Sequence, residues 1–323
     1  MATALVLGGT GQIGIPTARR LAEDGWEVKT AARGESADIR IDRTVPGELE
    51  AAADGFDVLV DVVPYTPTDA LQLASLAGSV GSVIAISTAG VYGFGNEADP
   101  LPVPVPEDYK TIAPDDTEYA PRKRAIELIL EESELPTTVI RPGAVYGPHT
   151  KHSREWYFVQ RVLDGREAIV LARDGASRFH TISVDNLAEL IARAAAKPAT
   201  RVVNAGDPDA PTALEIARAI AAAMDHSWEE VLLPGPEGET LGAHPWGVEA
   251  PFVLDMSHAE SELDYRAVTT YEQAVPATIE WLIETVGNRP WREVLTRSPY
   301  LETMFDYATE DAFLANRPGE PGR

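Results

Sequence analysis

A chain of 323 residues, 44% hydrophobic and 24% charged, is long enough for one large α/β domain or a domain with a smaller appendage. The absence of cysteine excludes disulfides, thiolate metal sites and a cysteine nucleophile. A formal charge of −24 argues against nucleic acid as a routine partner, because phosphate backbones select basic patches.

No apolar run approaches the ~18 residues that a membrane helix needs, so no membrane partner is expected. The N-terminus enters an apolar run directly, without the basic region and cleavage pattern of a signal peptide, and a cytoplasmic enzyme is the default expectation. Of the six histidines the closest pair, His149 and His152, has no carboxylate cluster beside it, so no metal site is expected.

The first element is an apolar strand, Ala4-Leu5-Val6-Leu7, running into Gly8-Gly9-Thr10-Gly11-Gln12-Ile13-Gly14 and then a helical pattern over 13–22. Gly9, Gly11 and Gly14 fit Gly-x-Gly-x-x-Gly, while Gly8, Gly11 and Gly14 fit a three-residue glycine repeat. Either spacing suits a tight turn, a close backbone approach to a pyrophosphate and packing of helix on strand. The helix N-terminus then offers free N–H groups and partial positive charge to phosphates. This is the opening of a Rossmann-type, doubly wound parallel α/β sheet.

Residues 26–33 read as the second strand, ending in Ala32-Arg33. An NAD site normally carries an acidic residue there for the ribose 2′-hydroxyl, whereas a guanidinium suits a 2′-phosphate. Arg33 therefore favours NADP over NAD, although Glu35 lies at a spacing from which it could reach the ribose. A short strand over 39–42, a helix over 48–53, a near-continuously apolar strand over 56–63 and a helix over 69–77 follow. Asp57 and Asp61 read as capping or surface groups of that strand, and residues 64–67 break the chain at its C-terminal end.

The fifth strand, 82–88, ends in Ser87-Thr88. A proline-rich acidic loop over 96–116 is long for a connection and therefore functional or mobile. Tyr119 opens a helix running through 129, with Lys123 one turn later on the same face and Pro121 tolerated in the first turn. A sixth strand spans 138–142. Beyond it the alternation weakens, with a helix over 149–163, short strands over 168–172, 178–182 and 201–205, and helices over 184–196, 213–224 and 271–286. Ser183 and Thr212 start two of these helices, and residues 234–251 read as loop.

These motifs together resemble an extended short-chain dehydrogenase/reductase of the NAD-dependent epimerase/dehydratase family. The resemblance rests on the glycine turn, on 86–93 (Ile-Ser-Thr-Ala-Gly-Val-Tyr-Gly), on Tyr119-x-x-x-Lys123, on 141–148 (Arg-Pro-Gly-Ala-Val-Tyr-Gly-Pro) and on 178–188. It implies Thr88, Tyr119 and Lys123 as catalytic residues, with Thr88 rather than Ser87 because the family's hydroxyl lies four residues before Tyr92. Free tyrosine, with a pKa near ~10, is a poor base at neutral pH, and Lys123 would lower it and bind the nicotinamide ribose. Cofactor contacts carried over are Gly8, Gly11, Gln12, Ile13, Gly14, Arg33, Val63, Lys123 and Pro142. Tyr92 and Arg178 are candidate substrate contacts, Arg178 because its position meets the diphosphate in nucleotide-sugar members. Tyr92 and Tyr146 belong to family motifs as packing or pocket-lining groups rather than acids.

The 4,6-dehydratases of the family carry Asp-Glu directly after the threonine, whereas this chain has Ala89-Gly90, which disfavours that reaction. What remains is an NADP- or NAD-dependent epimerase or reductase acting on a carbonyl or carbinol compound, nucleotide-sugars among the candidates. A homodimer is compatible with this reading. The competing class is a non-catalytic NADP-sensing or RNA-associated relative, which loss of the tyrosine or lysine, or a basic surface, would mark. The expected organisation is a dinucleotide-binding domain of 1–148 and 179–206, a smaller mixed α/β substrate-binding region of 149–178 and 207–316, and a disordered tail over 317–323.

Overall fold

The apolar runs of the sequence become the strands of one parallel sheet. The computed structural model describes residues 1–95, 98–236, 238 and 240–317. β1 (Thr3–Leu7), α1 (Gly14–Glu23), β2 (Glu27–Ala32), the two-residue β3 (Ile39–Arg40) and α2 (Glu48–Ala53) come first. β4 (Val58–Asp61), α3 (Pro67–Ala74), β5 (Ser82–Ile86), α4 (Tyr119–Glu131) and β6 (Thr137–Pro142) continue the alternation. Then come β7 (Ala144–Tyr146), α5 (Trp156–Leu163), β8 (Ala168–Leu171), β9 (Thr181–Ser183), α6 (Val184–Ala196) and β10 (Arg201–Ala205). The chain ends with α7 (Ala213–Ala223), β11 (Glu229–Leu232), α8 (Ser257–Leu263), α9 (Tyr271–Val286), α10 (Trp291–Val294) and α11 (Tyr307–Ala315).

Seven strands pair in the order β10-β6-β5-β4-β1-β2-β3, all parallel. Alternate side chains leave a strand on opposite faces, so β1 sends Val6 to one core and Leu5 to the other. The first core closes under α6 with Leu187 and Ile191, the second under α3 and α4 with Leu73 and Ile126. Both faces are covered, which is why these strands read as unbroken apolar runs. The strand order reverses between β1 and β4, and a crevice opens there beyond the strands' C-terminal ends.

A separate aromatic core holds the second half together, with Trp156, Phe158, Trp246, Ile216 and Ile279 at its centre. Two short parallel pairs complete the strands, β7 with β9 just after the sheet's β6, and β8 with β11 within this half. Ala259 and Leu263 of α8 join the core beneath the main sheet. The region after 207 therefore returns once to the dinucleotide-binding half.

Other departures have local causes. The strand expected over 178–182 begins at Thr181, and Arg178 and Phe179 instead form isolated bridges to Thr212 and Phe252. Within the proline-rich loop Val105 is fully buried and bridges Leu254, while 102–104 and 113–118 are exposed. The expected tail falls almost wholly outside the described residues, at 318–323, and Arg317 pairs with Glu229. Among the described residues no helix is long and apolar enough to cross a membrane, and no metal-binding cluster occurs.

Candidate active site

The crevice begins at the glycine turn. Gly8 has φ +83°, and a Cβ there would stand 2.7 Å from Val62 Cγ2. At Gly14 a Cβ would stand 2.3 Å from the Gly8 carbonyl oxygen, so both positions exclude a side chain. Gly11 N–H closes the turn on the Gly8 carbonyl at 3.0 Å. Ile13 leads into α1 without a side-chain cap, and the buried amide nitrogen of Gln12 has no partner. Free helix N–H groups, a shielded unpartnered donor and a side-chain-free backbone fit a dinucleotide's phosphates.

A cavity of about 920 Å³ extends from this turn, lined by Gly8, Gly11, Arg33, Asp42, Arg43, Val63 and Tyr65 among others. Arg33 lies exposed on its wall. Glu35 is 91% exposed with its carboxylate 3.9 Å from Arg40, and it takes no part in the lining. Arg43 does what the sequence did not reveal. Its guanidinium lies 2.6 Å from Asp61 and 3.1 Å from Asp69, bracing the wall between β3 and β4. Asp61 is thus no surface group: it caps the end of β4 by accepting from Val63 N–H at 2.9 Å, and it is fully buried, so burial raises its carboxyl pKa while Arg43 opposes the rise. Asp57 also caps, accepting from Thr3 N–H at 2.7 Å.

At the ends of β4 and β5 the three implied catalytic residues meet. Thr88 precedes a short 3₁₀ turn (Ala89–Tyr92), and its Oγ1 accepts from Gly90 N–H at 3.1 Å. Tyr119 is the first residue of α4, and its phenol interacts with the Thr88 side chain. Ser87 is unavailable, because its hydroxyl donates to the buried Glu127 at 2.5 Å. Lys123 is buried and donates to the carbonyls of Pro64 at 2.6 Å and Ile86 at 2.7 Å. Its Nζ lies 5.3 Å from the Tyr65 ring and 5.9 Å from the Tyr119 ring.

The electrostatics correct one expectation. Tyr119 is not lowered by Lys123; burial of its hydroxyl end, with Tyr65 beside it, pushes its pKa up to about 12, and the Thr88 hydrogen bond opposes this. The residue as a whole is 55% exposed, so the shielding is local to that end. Lys123 is turned onto two carbonyls, and burial brings its own pKa down to about 8 against the pull of Asp61, Glu127 and Asp69.

The two candidate substrate contacts each have protein partners. Tyr92 is buried, donates to Asn204 at 2.7 Å and accepts from Arg141 at 2.9 Å. It belongs to a structural network in which Arg141 grips Glu127 through two bonds of 3.0 and 2.8 Å. Arg178 donates to the Ala210 carbonyl, so its guanidinium fastens the loop before α7. Val63 lines the cavity, and Pro142 is buried at the end of β6. Tyr146 is buried and packs on Tyr271, as a packing group should. His149 packs on Trp281 at 5.5 Å.

Comparison with known proteins places this geometry. Residues 4–206 match the NAD dependent epimerase/dehydratase family. The chain is 28% identical over 210 residues to the 2′-dehydrokanamycin reductase of Streptomyces kanamyceticus, covering 58% of this chain and 57% of that protein. It is 27% identical over 188 residues to the chloroplast stem-loop binding protein of 41 kDa b of Arabidopsis thaliana, covering 50% of this chain and 47% of that one. The matches thus span about half the length of these curated relatives. The structure of UDP-N-acetylglucosamine 4-epimerase from Bacillus cereus superposes with a TM-score of 0.70 at 18% identity, over 87% of this chain and 99% of that one, a likeness of fold. The chain belongs to the NAD dependent epimerase/dehydratase family.

Proposed function

We propose that this protein is an NAD(P)-dependent oxidoreductase that transfers hydride at the ketone or carbinol carbon of a small molecule, with reduction by NADPH as the favoured direction. The observation that carries the reading is the Tyr119 phenol beside the Thr88 hydroxyl, next to a cavity shaped for a dinucleotide. The nicotinamide, when bound, supplies or accepts the hydride. Thr88 binds the substrate oxygen. Tyr119, protonated at neutral pH because its pKa is pushed up to about 12, donates a proton to that oxygen. Lys123 keeps positive potential behind it and offers its ammonium to the ribose.

Arg33 on the cavity wall, with Glu35 turned away, supports NADP over NAD. Arg178 on the Ala210 carbonyl removes one argument for a nucleotide-sugar diphosphate, which favours a simpler ketone over that class. Ala89 and Gly90 after Thr88 provide no acid–base pair for dehydration. A cytoplasmic location and a homodimer complete the proposal. The likeness to the stem-loop binding protein favours an RNA-associated reading, against which stand the net charge of −24 and the retained Tyr119 and Lys123.

Tyr119→Phe tests the reading. NADPH-dependent reduction across a panel of ketones should fall by roughly 10²–10⁴-fold, while NADPH affinity stays within about twofold. Unchanged turnover removes Tyr119 from the mechanism.

A further inference from the structure

Two segments distant in the chain meet, and one of them reaches the dinucleotide cleft. Residues 149–154 leave the sheet after β7, and residues 295–304 come from the last part of the chain, just after α10. Ser153 N–H donates to Ser298 Oγ at 3.1 Å, with both residues almost fully buried. That bond sets Lys151 and His152 on one side of the junction and Arg297 on the other. Lys151 lines the same cavity as Arg33, Gly11 and Thr10. Lys151, Arg154, Arg297 and Arg33 are near neighbours: Arg297 and Arg33 both depress the Lys151 ammonium, and all three of the nearer cations depress His152. In each case burial is the larger cause.

Cations gathered in this way repel one another. The chain holds 51 acidic residues against 27 basic ones, and most of its arginines are paired, as Arg218 is with Glu230 and Arg193 with Glu189. Yet among the described residues Arg33, Lys151, Arg154 and Arg297 form no ion pair with a carboxylate. Two of the four, Arg33 and Lys151, line the cavity, and Arg297 adjoins Ser298, which the Ser153 bond holds against the Lys151 segment. Cations left unpaired at a cavity in so acidic a fold make an anion site there.

We propose that Lys151 and Arg297 complete the dinucleotide site from the substrate-side segments, each binding a phosphate of the bound dinucleotide across the cleft from the glycine turn. This rests on the dinucleotide reading given above. The phosphate has two sources: the pyrophosphate, common to NADH and NADPH, and the 2′-phosphate, present only in NADPH. The C-terminal segment, through Arg297 and Ser298, then contributes directly to cofactor retention.

The experiment measures dissociation constants of NADPH and NADH by fluorescence titration, without turnover, for wild type, Lys151→Ala and Arg297→Ala, at low and high salt. Both side chains are exposed, so the variants should keep the wild-type melting temperature. Each variant should bind NADPH roughly tenfold more weakly and lose part of its salt dependence. An equal loss for NADH assigns the pyrophosphate, and a loss for NADPH alone assigns the 2′-phosphate. Unchanged affinity for both nucleotides in both variants overturns the proposal while leaving the cofactor reading intact. Failure of wild type to bind either nucleotide overturns the two together.

Discussion

Replacing Arg43 with methionine isolates the charge buried in the wall of the cofactor cleft. Asp61 is fully buried, with Arg43 Nη1 2.6 Å from one carboxylate oxygen and Val63 N–H donating to the other at 2.9 Å. Removing one partner of such a pair strands the other charge at a cost of about 3–5 kcal/mol. Burial already raises the Asp61 carboxyl above its ordinary value, and Arg43 is the main force opposing it, so the variant raises it further. A carboxyl with a raised folded-state pKa favours folding at low pH, where both states are protonated, and loses that contribution as pH rises through the folded value. Of two pH values on either side of neutrality, the deficit of Arg43→Met should therefore be larger at the higher and smaller at the lower, where Asp61 is closer to taking up a proton. Urea denaturation of wild type, Arg43→Met and Arg43→Met/Asp61→Asn at the two pH values measures it, and the double variant should recover most of the loss. A deficit below about 1 kcal/mol, or one that does not change with pH, refutes the reasoning.

Two further outcomes follow from the site. Because burial brings Lys123 down to about 8, turnover should decline above that pH as the ammonium loses its proton; Lys123→Met should be slow at every pH and show no such limb in a kcat/KM profile. Tyr92→Phe should lower stability by about 2 kcal/mol, because Asn204 and Arg141 each lose a buried partner, and leave KM for cofactor and substrate within about twofold. A large rise in substrate KM would return Tyr92 to the cleft.

Features encoded locally were legible before the structure. The β1 and β5 strands announce themselves as apolar runs because a parallel sheet buries both faces. The glycine turn and the Tyr119/Lys123 pair depend on short spacings that a single turn of helix fixes. What stayed hidden depends on long-range contacts. The spacing puts Lys123 one turn after Tyr119, but the carbonyls of Pro64, in the loop after β4, and of Ile86, at the end of β5, decide where its ammonium points. Arg43 sits 18 residues from Asp61, and Ser153 sits 145 from Ser298, so neither pairing leaves a local pattern. Tyr92 stands four residues after Thr88 in a motif that the resemblance offered for packing or for substrate contact, and the 3₁₀ turn directs it inward toward Arg141. α8 escaped notice because Ala259 and Leu263 are its only buried residues, too few to raise an amphipathic signal.

The most direct test of the central claim follows the hydride itself. Protein is mixed with NADPH deuterated at the transferring C4 position and a panel of ketones, and the deuterium content of the carbinol products is read by mass spectrometry. The account predicts deuterium on the carbinol carbon with wild type, and a rate roughly 10²–10⁴-fold lower with Tyr119→Phe at matched NADPH occupancy. Equal deuterium transfer by wild type and Tyr119→Phe at that occupancy would contradict it.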